Sequence, residues 1–387
     1  MNKPLAIGLI IFFILVIAAG AIWLAVRPAP LAEEAERGFL QRFPFGLFGG
    51  GEPAQPSPET APAPIAEELA LLMLDQGPVE SFSIKETGLR YLLKQDGHIM
   101  DIGPRGEDQT RVSNTTIPKI FETSWSQNAS KIIFKYIEND NIRTVSAEFI
   151  ATSTRATVLP QNIISFAFAP DRERLLYLVP TPNGSRLIAA DPDNSRQTDV
   201  ASFPFGDFDI YWPEKNSVYL LSRPSGVAEG FLFKYDLQRG TLNKILGDLA
   251  GLQIKFSDDG QKVIYSVYDA ASEKPRLFIY DLNKKTAVDI QTDGLAEKCS
   301  FTRKNAGLVY CGLDQGLQAA VYPDEWLQGS ISTSDTLWEI NFETGQKRLL
   351  DETLPFNIKQ ITVSYDGVFL FFIDKNSGSL WSLEIIN

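Results

Sequence analysis

An all-β, seven-bladed β-propeller, preceded by one N-terminal transmembrane helix and a Pro/Gly-rich linker, is the architecture this sequence predicts. Three observations carry the prediction. A strand-turn-strand unit recurs every 43 to 45 residues over six copies, an uncharged run of 22 residues lies near the amino terminus, and a glycine- and proline-dense stretch separates the two.

The run LAIGLIIFFILVIAAGAIWLAV occupies residues 5–26. As a helix at ~1.5 Å per residue it reaches roughly 33 Å, the thickness of a bilayer core. A cleavable signal peptide is the rival, with Ala19-Gly20-Ala21 as its small-residue site. The apolar run continues past that site through Ile22, Trp23 and Leu24, which favours a retained anchor. Trp23 and Arg27 fit an interfacial boundary. Lys3 before the helix and Arg27, Arg37 and Arg42 after it leave the charge count indecisive. The short leading tail is the usual signal-anchor arrangement and places the protein in the cell membrane as a single-pass chain with its propeller on the extracytoplasmic side.

Residues 27–68 follow, with Gly49, Gly50 and Gly51 in succession and five prolines between Pro53 and Pro64. Such a segment buries no core and reads as a flexible spacer. Its apolar patch, 39–48, is either part of the tether or a docking peptide.

Composition supports a large β core beyond the spacer, since 44% of residues are hydrophobic and the 25 Phe and 12 Tyr favour strands. A net charge of −12 argues against nucleic acid as a partner, because phosphate recognition needs clustered Lys and Arg. The single histidine, His98, sits beside Asp96 and Gly97 as a turn residue would, and excludes chemistries that need several imidazoles.

The repeat is read by aligning each unit on an apolar residue before the turn and an aromatic after it. The first set is Phe82, Trp125, Phe168, Trp212, Phe256, Phe301 and Val363. The second is Tyr91, Phe134, Tyr177, Tyr219, Tyr265, Tyr310 and Phe372, nine residues after its partner except in the fourth unit, where it is seven. The turns between them, such as SQNAS, SDDG and SYDG, are rich in residues that accept positive φ or bond their own backbone. A third strand (RLFIYDLNKKT, LWEINFETGQ) and a shorter fourth (KILGDL, RLLDE) complete a four-stranded unit, the period of a propeller blade.

The units FSDDGQKVIY and VSYDGVFLFF resemble the TolB-like and WD40-like propeller repeats, whose consensus is close to FSPDGxxIxY. The resemblance covers residues 79–387 and implies a fold, not a substrate. The Gly-His and Trp-Asp signatures of true WD40 repeats are missing, as are kelch double glycines and the sialidase Asp box.

The propeller is assigned to residues 69–387. Its last unit ends directly after a third strand, and residues 69–74, just before the first unit, are predicted to supply the outer strand that closes the ring; helix is the competing reading of this leucine-rich run. The sixth unit carries about 17 extra residues between Gly312 and Asp335. Tyr322, Trp326 and Leu327 make this insertion a candidate interaction loop. Cys299 and Cys311 lie on the first two strands of the same unit, equidistant from its turn, and form a candidate disulfide.

No nucleophile elbow, phosphate-binding loop or zinc-protease motif is present, and no catalytic, cofactor-binding or metal-binding residue is assigned. The turn aspartates Asp171, Asp258, Asp259 and Asp366 are explained by backbone bonding, and the run DPDNSRQTD (191–199) reads as a turn rather than a calcium loop. The expected function is a non-catalytic protein-protein interaction or scaffolding module whose partner is another envelope protein or peptide. The alternative is an enzyme, or a sugar or small-ligand binder, with a site in the central channel. A channel pocket with clustered carboxylates would point to chemistry, and exposed apolar surface around 322–327 to docking.

Overall fold

The computed structural model describes residues 71–150, 153–171 and 174–385. The predicted transmembrane helix (5–26) and linker (27–68) lie outside them. Among the described residues no helix is long and apolar enough to cross a membrane.

The chain forms seven four-stranded antiparallel sheets, each the blade of a propeller. Six blades use four consecutive strands. The seventh combines three late strands, Ile358–Val363, Phe369–Asp374 and Leu380–Glu384, with the first strand of the chain, Leu71–Asp75. That first strand runs antiparallel to Leu380–Glu384, with Leu71 opposite Leu383 and Met73 opposite Trp381. It covers an edge that would otherwise offer unpaired backbone groups. Tyr91 of the first blade donates to Asp75 Oδ2 at 2.6 Å and ties this strand to its neighbour.

Each pair of adjacent blades encloses its own apolar core, and the aligned residues explain why the repeat exists. Phe82 packs between blades seven and one, Trp125 between one and two, Phe168 between two and three, and Trp212 between three and four. Phe256, Phe301 and Val363 continue the series to the interface of six and seven. The first aligned residue of every blade therefore faces the preceding blade, which is the contact that holds a ring of sheets together.

The second set is not equivalent throughout. Tyr265 stands opposite Ile254, so it faces blade four, as Phe256 does. In the sixth blade Phe301 pairs with Val309 and Tyr310 with Ser300, because the turn is one residue longer. A one-residue slip sends a side chain to the other face of a strand, and Tyr310 accordingly packs towards blade seven. Tyr219, opposite Tyr211, likewise packs towards blade five.

The turn aspartates act on their own backbone. Asp259 Oδ1 accepts from Ser257 Oγ at 2.6 Å and from the Gln261 amide at 3.0 Å, with Gly260 at φ +66°. Asp366 does the same with Ser364 and the Val368 amide, followed by Gly367 at φ +71°. Asn128 and Ala129 repeat the device in blade two.

Candidate functional site: the central channel and its two ends

The first strands of the blades surround the central channel. Their turns to the second strands gather at one end, and the loops between second and third strands at the other. The sixth-blade insertion belongs to the second end.

This insertion is folded inward. Its helix α1 (Asp324–Gln328) brings Trp326 to 2% exposure and leaves Tyr322 at 1%, and both pack with Leu295 and Leu317. The candidate interaction loop is thus corrected. Tyr322 and Trp326 are unavailable to a partner, and of the three only Leu327, at 45%, is exposed. The cause is a set of polar contacts that an exposed loop would lack. Trp326 Nε1 donates to Asn357 Oδ1 at 2.8 Å, and Lys298 and Lys375 both approach the face of its ring. Asp324 accepts from Ser225 Oγ at 3.0 Å and from the Gly226 amide at 2.5 Å, in blade four. The Ala320 amide donates to Glu273 O in blade five, and Ser332 to Asn376 in blade seven. The insertion therefore spans four blades.

Beneath it lies a fully buried polar knot. Lys298 donates to Asp335 Oδ2 at 2.6 Å and also to Thr333 Oγ1, and Asp335 accepts from the Ile358 amide at 2.8 Å. Burial drives both groups towards neutrality, and their contact opposes it. Next to Lys298, Cys299 and Cys311 stand directly opposite each other and their sulfurs are bonded.

The channel wall carries charges of both signs. Glu80 of blade one meets Lys359 of blade seven at 2.7 Å, Glu122 meets Lys135 at 2.8 Å, and Asp209 lies 3.5 Å from Arg223. Lys255 donates to the Ile361 carbonyl at 2.6 Å. Burial lowers the Lys255 ammonium to about 8, opposed by the charges of Glu297 and Asp258. Burial raises Glu297, with Lys255 opposing, and raises Asp209, with Arg223 opposing. Titratable groups displaced by burial plus a specific partner mark candidate sites. Single-sequence reading missed them because each is one Lys, Asp or Glu on its own short strand, brought together only by ring closure.

At the turn end the channel opens into a cavity of about 920 Å³. Its walls come from the first turns of blades one, two, three, six and seven, with Thr87, Gln127, Asn128, Pro170, Arg303 and Tyr365 among them. Tyr365 donates across blade one to the Gln127 carbonyl at 2.6 Å. Arg303 stacks 4.1 Å from the Tyr365 ring centre and reaches Asp258 Oδ2 at 2.5 Å. Asp258 is thus an ion-pair partner across blades, while Asp259 remains a turn residue. A neighbouring cavity of about 320 Å³ shares Gln127 and Arg303.

His98 Nδ1 lies 2.7 Å from Asp96 Oδ2 in the turn after the second strand of blade one, away from both ends of the channel set. Among the described residues no group of three or more His, Cys, Asp or Glu is placed to hold a metal ion. The 191–199 run is a turn between third and fourth strands, in which Asp193 accepts from Ser195 and Asp191 from Arg196.

No protein family matches the sequence, and no curated protein does. Solved structures do match in fold. Oligogalacturonate lyase from Vibrio parahaemolyticus superposes with a TM-score of 0.56 at 9% identity, over 84% of this chain and 95% of that one. The β-propeller domain of Cps50 (Swd1) from Myceliophteria thermophila gives 0.52 at 9% identity, over 80% and 97%. TolB from Acinetobacter baumannii gives 0.45 at 14% identity, over 82% of this chain; the match spans 63% of the TolB chain. At these identities the likeness establishes the propeller fold and nothing finer.

Proposed function

We propose that the protein is a membrane-anchored, extracytoplasmic propeller that acts as a non-catalytic binding module, holding a segment of a partner protein at the turn end of its channel. One observation carries this reading: the cavity of about 920 Å³ built by turns from five blades. Its volume stands at the upper end of the range for small-molecule pockets. Its lining offers amides, hydroxyls and one tyrosine ring, and its charged groups include Lys85 and Arg303, already paired to Asp101 and Asp258. Such a surface suits hydrogen bonding to an extended peptide more than reaction chemistry. The inward fold of Tyr322 and Trp326 moves the docking surface from the insertion to this end. The uncharged run at 5–26 and the bonded Cys299-Cys311 pair support the anchor and an oxidising location.

The reading is tested by placing a photo-crosslinking amino acid at Thr87 or Gln127 in the cavity, and at Val158 on an outer strand as control. One defined partner is expected from the cavity positions and none from Val158. Crosslinks from Val158 alone, or turnover of a glycan or peptide by the purified chain that cavity substitutions abolish, would overturn it.

A further inference from the structure

A second site is built into the channel wall, away from the turn-end cavity. On the first strand of blade five, Gln253–Phe256, Ile254 and Phe256 enter the core shared with blade four. Strand alternation therefore sends Gln253 and Lys255 to the other side, towards blade six and the channel. Gln253 is 1% exposed, and neither its amide oxygen nor its nitrogen makes a hydrogen bond of ordinary geometry. It nevertheless lies close enough to Glu297 to help hold that carboxylate's charge. Buried amides of this kind are rare in native proteins and ask for a partner.

Glu297 comes from the short 3-10 turn Ala296–Lys298, whose last residue is committed to Asp335 beneath the insertion. Glu297 faces the channel instead. Each of Glu297 and Lys255 alters the other's protonation, so they are neighbours, yet no ion pair within 4.0 Å joins them. Both keep some accessible surface although protein surrounds them, as does Tyr211 of blade four, which places a space between them inside the molecule. Two desolvated opposite charges free to touch would do so. Here the strand and the turn hold them apart.

We propose that this space binds a small zwitterion of the free α-amino acid class, its carboxylate on Lys255, its ammonium on Glu297, and the Gln253 amide donating to and accepting from the ligand's polar groups. The occupant matches the wall charge for charge, with the polarity reversed. Surrounding charges set the field: Asp209 on blade four is held by Arg223, Lys359 by Glu80, and Lys375 lies near enough to act on Glu297. The site is independent of the peptide cavity, because Gln253 begins its strand and the cavity is built from the turns at the strand ends.

The test is calorimetric titration and thermal shift of the full-length chain with each of the twenty L-amino acids at millimolar concentration, alongside their decarboxylated amines and N-acetylated acids. At least one amino acid is expected to bind one to one. Its two single-charge analogues should each bind at least about ten-fold more weakly, which is about 1.4 kcal/mol. Lys255→Met should erase the preference over the amine, and Glu297→Gln the preference over the N-acetyl acid. Failure of every amino acid to bind, equal binding of either analogue, or unchanged affinity in both variants would overturn the proposal. The analogue comparison uses the unaltered protein and stands even if a variant does not fold. Crosslinking at Thr87 or Gln127 should be unaffected by Lys255→Met, so failure here and failure of the peptide-binding reading are separable.

Discussion

Lys298 Nζ and Asp335 Oδ2 lie 2.6 Å apart, with 2% and 1% of their side chains exposed. The pair joins the entry to blade six to the end of the insertion. Removing one partner of such a pair strands a buried charge, which typically costs 3–5 kcal/mol. Lys298→Met is expected to lower unfolding stability in urea by about that amount, and Lys298→Met with Asp335→Asn by less. A single-variant loss below about 1 kcal/mol would show that water reaches Asp335.

The Cys299-Cys311 bond closes a short loop, with a sequence separation of 12. Loop-closure entropy for that length corresponds to about 3 kcal/mol in the unfolded state. The double variant Cys299→Ser with Cys311→Ser should lose roughly this much in denaturant unfolding. Thiol labelling of the unreduced, unfolded protein should find no free cysteine.

Gly226 is where the insertion's backbone comes nearest to blade four. A Cβ there would meet the Tyr322 carbonyl at 2.5 Å. Gly226→Ala should unseat the insertion while leaving the seven sheets intact. The expected result is new cleavage by limited proteolysis within 314–334 and increased Trp fluorescence quenching, at an unchanged main unfolding transition. Resistance equal to that of the unaltered chain would mean that blade four gives way instead.

These outcomes separate what sequence exposes from what it conceals. The blade count was legible because Phe82, Trp125 and their counterparts answer to one repeated demand, packing against the preceding blade, and a repeated demand leaves a period. The turn role of Asp259 and Asp366 was legible for the same reason. Tyr310 was misaligned with its counterparts because a single extra turn residue reverses a strand's faces without disturbing the spacing of nine. The burial of Trp326 depends on Asn357, Lys298 and Lys375, residues 28 to 49 positions away with no shared pattern. The channel set was hidden for the same reason, and only the partnerless Gln253 amide marks it.

Lys255 gives the pH dependence that bears most directly on the channel. Its ammonium titrates at about 8 in the folded protein, against an ordinary value of 10.5. Between those values the unfolded chain binds more protons at this residue than the folded one does, so its contribution makes stability rise with pH across that window. The penalty for burying the charge is present in full below about pH 8 and has vanished above about pH 10.5. Tyrosines raised by burial, such as Tyr211 and Tyr219, act in both forms of the protein and cancel in a comparison. Urea unfolding at pH 7 and pH 10.5 should therefore show Lys255→Met gaining on the unaltered chain at the lower pH, by on the order of 1–2 kcal/mol once channel water is allowed for, and losing that advantage at the higher. An advantage that persists at pH 10.5 would assign the gain to packing rather than to charge. An added amino acid that binds through its carboxylate should hold the ammonium charged, and so shrink the advantage at pH 7.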